Sequence, residues 1–476
     1  WIDLTKGLLW PIERKHYTNT SPPVVYKDLV IMGNGVGDRL MYKNDPPGDI
    51  RAFDARTGRQ VWSFHPVPQR GEFGHATWQE GSTLRTGHTN AWAPMSLDAA
   101  RGLLYVPVGT PSNDYYGGFR KGEGLFGETL LCLDANTGTR KWHFQLVHHG
   151  LWDYDPPSPP NLVTIRPNGT PVDAVVQLTK QGLAFVFNRV TGQPVWPIEE
   201  RPVGKSDVPG EESWPTQPFP TKPAAFAEQG VSLDDAFDLT PALKTAAQAE
   251  MKKYRLGPLY TPPSLEGTLM RPSTIGGANW GGGAFDPDSG WLFVKTTNQM
   301  NNVRIQKPSF PAGSERAKEV DAAIIGSPAG PTEFVPPGRT ADDREFPPLP
   351  MLKPPYGHVT AINLHTGEIA WRVPFGDNPD LRAHPALAGV TLPPQLGAPG
   401  AAGVLATKGG VLFVGGNDGA FHALDTSTGR DLWTVATLPR RVTGTPMTYR
   451  TASGKQYVVV ATSNGPDASL MAFTLP

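Results

Sequence analysis

The sequence of 476 residues contains a single cysteine, Cys132, which excludes an intrachain disulfide. Charged residues make up only 18% and the formal net charge is −1, so we expect no nucleic acid or anionic membrane surface as a partner. No apolar run approaches the ~20 residues that a membrane-spanning helix needs, and we therefore expect no transmembrane segment in this chain. No glycine-rich phosphate loop follows a strand and opens a helix, which argues against a nicotinamide dinucleotide cofactor.

Glycine and proline are abundant by contrast, with 53 and 51 residues, and aromatic residues reach 9%. Stretches with helical spacing are nearly absent, the exception being an Ala- and Leu-containing segment around 232–254. Such a composition is typical of many short strands joined by tight turns. The sequence therefore predicts an all-β fold.

Five segments share one pattern: an apolar pair, Asp or Asn, two residues, Thr-Gly, three residues and Trp. The Asp or Asn can cap a hairpin turn, and the glycine supplies the positive φ that the turn needs. A large flat ring at a fixed offset can then fill the gap between neighbouring sheets. The repeat predicts a β-propeller of four-stranded blades. The five tryptophans are Trp62, Trp142, Trp196, Trp371 and Trp433.

We expect residues 1–476 to form one propeller domain, with a Pro-rich insertion around 301–355 inside the long interval between Trp196 and Trp371. The repeats resemble the tryptophan-docking motifs of PQQ-dependent (quinoprotein) dehydrogenases. Six further stretches resemble the membrane glucose dehydrogenase branch, at 89–94, 148–155, 179–186, 215–220, 260–264 and 279–282. The resemblance implies an eight-bladed propeller of which about six blades are present, with the N-terminal blades missing.

The resemblance also implies an activity, namely oxidation of a sugar or alcohol hydroxyl by hydride transfer to PQQ. Electrons would pass on to a quinone or another acceptor, in the periplasm, although the sequence shows no signal peptide. PQQ is a planar tricarboxylate quinone, so its site needs flat surfaces, cations, and Ca²⁺ or Mg²⁺ at the quinone oxygen. The alternative is a non-catalytic propeller that serves as a scaffold for protein partners, which needs docking tryptophans but no polar cluster.

Asp153 matches the family's proposed catalytic base, which takes the hydroxyl proton as hydride leaves. Lys180 matches the lysine that hydrogen-bonds the ortho-quinone oxygens. From the residues alone, Asp153 can also be read as a turn cap, for which Asp155 is the better candidate. Lys180 can likewise be read as a solvated cation at a strand edge.

Trp92 matches the ring that forms a flat floor under PQQ. Trp280 is a second candidate for the pocket, although core packing explains it nearly as well. Asn298 and Asp418 match polar contacts of the cofactor. For Asp418 a hairpin turn is the alternative, because Asn-Asp-Gly is a strong turn signal.

For the metal, the resemblance points to Asp38 and Ser112, and Thr110 and Asn113 compete with Ser112 for one role. Arg39 stands where the family has a neutral oxygen donor. A guanidinium cannot ligate a cation, but it can pair with a PQQ carboxylate. We therefore assign Arg39 to the cofactor rather than to the metal.

Overall fold

The computed structural model of the chain describes residues 1–36, 45–311, 313–320, 324–334, 338–339, 345–346, 348–436, 438–462 and 465–475. Antiparallel strands dominate this part of the chain, and six of its sheets are meanders in which successive strands pair side by side. Four of the meanders have four strands and two have three. The prediction of an all-β propeller built from such sheets is confirmed, and we number the sheets blades 1 to 6 along the chain.

Blades 1 to 3 come from the first 188 residues. The strands at the start of the chain are β1 (Tyr17–Thr18), β2 (Val24–Tyr26), β3 (Leu29–Met32), β4 (Gly35–Val36), β5 (Ile50–Asp54) and β6 (Gln60–Phe64). Blade 1 has the order β2-β3-β5-β6, and β1 pairs with β4 beside it. Blade 2 consists of β7 (Ser96–Asp98), β8 (Leu103–Pro107), β9 (Thr129–Asp134) and β10 (Arg140–Gln145). Blade 3 consists of β11 (Asn161–Ile165), β12 (Val172–Leu178) and β13 (Ala184–Asn188).

Blades 4 to 6 are separated from blade 3 by a hairpin and a short strand, β14 (Ile198–Pro202), β15 (Thr216–Pro220) and β16 (Thr268–Met270). The next strands are β17 (Gly283–Asp286), β18 (Trp291–Thr297), β19 (Asn301–Gln306), β20 (Ile325–Gly330), β21 (Gly338–Arg339), β22 (Glu345–Phe346), β23 (Gly357–Asn363) and β24 (Glu368–Pro374). Blade 4 has the order β17-β18-β23-β24. Blade 5 consists of β25 (Val404–Thr407), β26 (Val411–Gly415), β27 (Phe421–Asp425) and β28 (Asp431–Val435). Blade 6 consists of β29 (Met447–Arg450), β30 (Gln456–Thr462) and β31 (Ser469–Phe473).

The segment predicted as a Pro-rich insertion separates the second and third strands of blade 4. It contains β19 to β22, of which β19 pairs with both β16 and β20. The α-helices are short, namely α1 (Pro241–Met251), α2 (Glu315–Glu319) and α3 (Pro379–Arg382). The 3₁₀ helices are Arg14–His16, His75–Thr77, Ser82–Leu84, Pro167–Gly169, Leu233–Asp235 and Pro385–Leu387. Among the described residues, none of the helices has the length and apolar character needed to cross a bilayer.

The repeated tryptophans join each blade to the next. The indole nitrogen of Trp142 in blade 2 donates a hydrogen bond to the backbone oxygen of Arg189, 3.1 Å away in the turn after β13. A Cβ atom on Gly192 in that turn would lie 2.7 Å from the same indole, so only glycine permits this approach. The equivalent bonds run from Trp62 to Ala135 at 3.2 Å and from Trp371 to Thr426 at 3.0 Å.

The two ends of each blade have different roles. Because strands alternate in direction, the turns after the first and third strands lie at one end of a meander. The loop after the second strand and the segment that enters the first strand lie at the other end. In blade 2 the backbone nitrogen of Ala135 donates a hydrogen bond to the backbone oxygen of Gly102 at the first end. At the second end the backbone nitrogen of Gly109 donates to the backbone oxygen of Asn90. We call these ends the turn face and the cavity face.

Candidate functional site

A cavity of about 250 Å³ lies among the loops of the cavity face. Four of the predicted site residues line it, and they come from three blades. Trp92, Asp153 and Trp280 precede the first strands of blades 2, 3 and 4, and Lys180 lies in the loop after the second strand of blade 3. The remaining lining residues are Thr18, Thr20, Gly35, His88, Asn90, Gly109, Thr110, Asp155, Thr274, Ile275 and Asn279.

The ammonium group of Lys180 lies between two carboxylates. It donates to Asp153 Oδ1 at 2.9 Å and to Asp155 Oδ1 at 2.5 Å. Lys180 is only 5% exposed, which excludes the interpretation as a solvated strand-edge cation. Asp153 has a φ of +54°, a left-handed conformation that non-glycine residues seldom adopt outside functional sites and tight turns.

Asp155 connects this ion pair to the aromatic floor. The indole nitrogen of Trp92 donates a hydrogen bond to Asp155 Oδ2, on the carboxylate that Lys180 binds through Oδ1. The Lys180 ammonium lies 5.8 Å from the centroid of the Trp92 ring. Asp155 thus has a place in the site beyond that of a turn cap. Its position two residues after Asp153 in the same recognisable stretch is the signal that could have indicated it.

The pKa values of both Asp153 and Lys180 are raised by their surroundings. Burial raises the pKa of Asp153 well above its ordinary value; Lys180 opposes this shift, while Asp155 and Asp114 add to it. Burial alone would lower the pKa of Lys180, but the two carboxylates raise it above its ordinary value. Lys180 therefore stays charged, and Asp153 binds a proton more readily than an ordinary aspartate.

Tyr115 is a further contact that sequence reasoning missed. Its hydroxyl donates to Asp153 Oδ2 at 3.2 Å, and the residue is 1% exposed. It belongs to a loop that Arg120 ties to the segment before Asp153, because the guanidinium donates to the backbone oxygen of Gly150 at 2.5 Å. The loop and the carboxylate are consequently held in one arrangement.

The cavity fits a flat polar ligand such as PQQ in two respects. The side-chain amide of Asn90 is buried at 1% exposure, yet neither its nitrogen nor its oxygen has a hydrogen-bond partner among the described residues, so a ligand in the cavity can satisfy it. Trp280 is 47% exposed and lines the same cavity as Trp92, so burial in a core does not account for it.

The predicted metal ligands can be located only in part. Asp38 and Arg39 lie outside the described residues. The Ser112 hydroxyl donates to Asp45 Oδ2, and both residues are buried. A carboxylate and a hydroxyl are oxygen donors of the kind that Ca²⁺ and Mg²⁺ take. Within the described ranges, no group of three or more His, Cys, Asp or Glu side chains is placed to hold a metal ion.

Thr110, which competes with Ser112 for the ligand role, binds a buried acid instead. Its hydroxyl donates to Glu128 Oε1 at 3.1 Å. Burial raises the pKa of Glu128 to about 8, against the opposing charge of Arg120. Glu128 therefore carries a proton through most of the neutral range.

Asn298 and Asp418 are on the cavity face but are not among the residues that line the cavity. The Asn298 amide donates to the backbone oxygen of Pro355 at 2.8 Å. Asp418 Oδ1 caps its own loop by accepting a hydrogen bond from the backbone nitrogen of Ala420 at 3.1 Å, and its Oδ2 lies 3.3 Å from His422 Nε2. Their predicted contacts with the cofactor remain predictions.

Comparison with known proteins assigns the chain to a family. Residues 1–458 match the model described as "PQQ: Glucose/ethanol/alcohol dehydrogenase, beta-propeller domain". The chain is similar to quinate/shikimate dehydrogenase (quinone) of Acinetobacter baylyi, with 33% identity over 97% of this chain and 57% of that protein. It is similar to quinoprotein glucose dehydrogenase of Escherichia coli, with 33% identity over 94% of this chain and 55% of that protein.

A third relative, the glycerol dehydrogenase large subunit of Gluconobacter oxydans, is 31% identical over 93% of this chain and 60% of its own length. The chain thus spans between 55% and 60% of these three curated relatives. Among solved structures, quinohemoprotein alcohol dehydrogenase from Comamonas testosteroni matches 98% of this chain and 61% of its own, with a TM-score of 0.64 and 22% identity, which supports the fold. On the match over residues 1–458 and the relatives above 30% identity, the chain belongs to the family of PQQ-dependent glucose, ethanol and alcohol dehydrogenase β-propellers.

Proposed function

We propose that this chain is the catalytic propeller of a PQQ-dependent dehydrogenase that oxidises a secondary or primary hydroxyl of a polyhydroxylated substrate. The observation that carries the proposal is the cluster of Trp92, Asp153, Asp155 and Lys180 in one open cavity. The relatives are named for quinate or shikimate, glucose and glycerol, all of which carry several hydroxyl groups. Hydroxyl groups of Thr18, Thr20 and Thr274 in the cavity wall offer such a substrate hydrogen-bond partners.

PQQ, when bound, supplies the electrophilic quinone that accepts the hydride. Trp92 offers its ring as a flat support for the cofactor, and Lys180 offers a charged donor for the quinone oxygens. Asp153 accepts the proton of the substrate hydroxyl, and its raised pKa makes it a stronger base than an ordinary aspartate once it is ionised. Tyr115 and Lys180 hold the two oxygens of Asp153 in place during this transfer.

Asp45 and Ser112 would supply oxygen ligands to Ca²⁺ or Mg²⁺ beside the cofactor, with Asp38 as a further candidate. The electrons then pass to a quinone or another acceptor, and we place the reaction in the periplasm. Arg39, Asn298, Asp418 and Trp280 are proposed as additional contacts of PQQ.

The test is a PQQ titration with and without CaCl₂, followed by the absorbance of the cofactor. We expect saturable, metal-dependent binding that Lys180→Ala weakens at least tenfold and that Asp153→Asn changes little. Lys408→Ala is the matched control, since Lys408 is an exposed lysine of a turn on the turn face. A dye-linked assay with glucose, quinate and glycerol then identifies the substrate, and Asp153→Asn should abolish turnover.

The absence of PQQ binding under both conditions would contradict the proposal and favour the alternative of a non-catalytic scaffold. Equal binding by wild type and Lys180→Ala would contradict the assignment of Lys180. Full turnover by Asp153→Asn would remove Asp153 as the base.

A further inference from the structure

The charges of the cavity do not balance those of the proposed cofactor. Lys180 has carboxylates at 2.9 and 2.5 Å, so its single positive charge is already compensated by Asp153 and Asp155. A planar quinone with three carboxylates adds negative charge to a site that holds an excess of it. Burying an anion without a cation is costly, so we expect basic side chains at the carboxylates in addition to Lys180 and the metal ion proposed at the quinone oxygen.

Lys295 in β18 is such a cation, and nothing in the sequence motifs singles it out. The residue is 5% exposed, and its ammonium group donates to the backbone oxygen of Gly400 at 2.6 Å. It also lies 5.6 Å from the centroid of the Phe375 ring. Within the described part of the chain, no carboxylate forms an ion pair with it.

Lys295 is close to the cavity that holds Lys180. A small space of about 10 Å³ adjoins Lys295, which is room for about one water molecule. Ile275 and Asn279 line both this space and the larger cavity, so the two are adjacent. The segment 400–402, which enters the first strand of blade 5, also lines the small space.

The absence of an ion pair makes Lys295 unfavourable in the unliganded protein. Burial lowers its pKa to about 8, and the charge of Asp418 opposes this shift without forming an ion pair. At pH 7 most molecules therefore still carry a buried ammonium, and its only hydrogen-bond acceptor in the part of the chain that the structure describes is the neutral carbonyl of Gly400. A hydrophobic side chain of similar length would pack there at lower cost, so the fold itself gives no reason for a lysine.

We propose that Lys295 is a further cationic contact of the site, beside Lys180 and Arg39, and binds a carboxylate of PQQ. This inference rests on the proposed function. It assigns the lysine to the cofactor, because PQQ carries carboxylates whichever substrate is used, whereas the substrates named for the relatives include neutral glucose and glycerol as well as the carboxylates quinate and shikimate. Lys180 then binds the quinone oxygens of PQQ, and Lys295 binds one of its carboxylates.

The experiment compares PQQ with its trimethyl ester, which has the same ring system without the three negative charges, by absorbance titration at pH 7. We expect Lys295→Met to weaken the binding of PQQ about tenfold or more and that of the trimethyl ester less than twofold. Lys295→Arg, which keeps the charge, should restore most of the affinity for PQQ. Lys408→Met is the control and should leave both dissociation constants unchanged.

The thermal midpoint of the unliganded protein is the second readout. Lys295→Met should unfold at the same temperature as wild type or higher, because it removes a buried charge without an ion pair. Equal affinities of wild type and Lys295→Met for PQQ would overturn the inference and leave the proposed function intact. The same conclusion would follow if Lys295→Met weakened the binding of PQQ and of the trimethyl ester by the same factor. Failure of wild type to bind PQQ would instead overturn the proposed function, and this inference with it. If Lys295→Met does not fold, the same comparison is made with Lys295→Gln.

Discussion

Trp92 donates the hydrogen of its indole nitrogen to the carboxylate of Asp155, and this bond couples the flat floor of the cavity to its charged wall. Lys180 binds the other oxygen of the same carboxylate. A change at any of the three residues is therefore transmitted to the other two. Asp155 acts on Asp153 as well, since its charge raises the pKa of that residue.

Removing the charge of Asp155 should make Asp153 more acidic. In Asp155→Asn we expect the acid limb of the kcat profile to move to lower pH by about one unit, because a neighbouring negative charge is lost. The measurement is kcat from pH 4 to 9 with PQQ and Ca²⁺ saturating. Asp288→Asn, in an exposed turn of the turn face, should leave the profile unmoved. A shift to higher pH would contradict the coupling.

Tyr115→Phe should shift the same limb in the opposite direction. The loss of the 3.2 Å hydrogen bond from its hydroxyl destabilises the ionised form of Asp153, so the pKa of that residue rises. We expect kcat at pH 7 to fall several-fold while the dissociation constant of PQQ stays within twofold. Proportional changes in kcat and in PQQ affinity would indicate a general disturbance of the loop instead.

His422 should make stability depend on pH. Burial lowers the pKa of this histidine, but Asp418 at 3.3 Å and Asp431 at 3.0 Å outweigh burial and raise it to about 9. The folded protein thus binds a proton that the unfolded chain releases near pH 6.5, and the stabilisation is complete below that pH and lost as pH rises through 9.

His422→Gln should therefore lower the free energy of unfolding by up to about 3 kcal/mol at pH 6 and by much less at pH 10. Urea unfolding at both pH values measures the difference. A loss of equal size at the two pH values would show that packing, rather than charge, accounts for the role of His422.

The tryptophans that join the blades should differ in their contribution to stability. Trp142 is 8% exposed and lies between Tyr105 and Phe187, with ring centroids 6.0 and 5.8 Å away. We expect Trp142→Ala to cost about 3–5 kcal/mol in urea unfolding. Trp433 is 43% exposed, so the matched change Trp433→Ala should cost less than half as much. Equal losses would contradict the unequal burial of the two rings.

The blade architecture was predictable because each repeat carries its own local signal. The Asp or Asn caps the turn as expected: in blade 1, Asp54 Oδ1 accepts a hydrogen bond from the backbone nitrogen of Thr57 at 2.8 Å. Gly58 in the same turn adopts a φ of +72°. The three-stranded form of blades 3 and 6 was not predictable, since the motif marks one turn of a blade and says nothing of its other strands. In blade 3 an isolated bridge between Phe187 and Pro194 stands where a fourth strand would pair.

The candidate site was predictable where a residue lay within a recognisable stretch, as Trp92, Asp153 and Lys180 do. Tyr115 and Lys295 have no such context. Their roles depend on which way a side chain points within a loop or a buried strand, and a single sequence does not encode that direction in a readable pattern. Asp155 was assigned to a turn because its neighbours Pro156 and Pro157 favour one, whereas its two hydrogen bonds come from residues distant in sequence.

The separation of the two faces has a consequence for how such proteins diversify. The hydrogen bonds by which the repeated tryptophans join neighbouring blades end in the turns of one face, and the cavity is built from loops at the opposite ends of the same strands. A loop on the cavity face can therefore lengthen, shorten or be replaced without disturbing these tryptophan contacts. A single scaffold of this kind can acquire new substrates by exchanging loops one blade at a time.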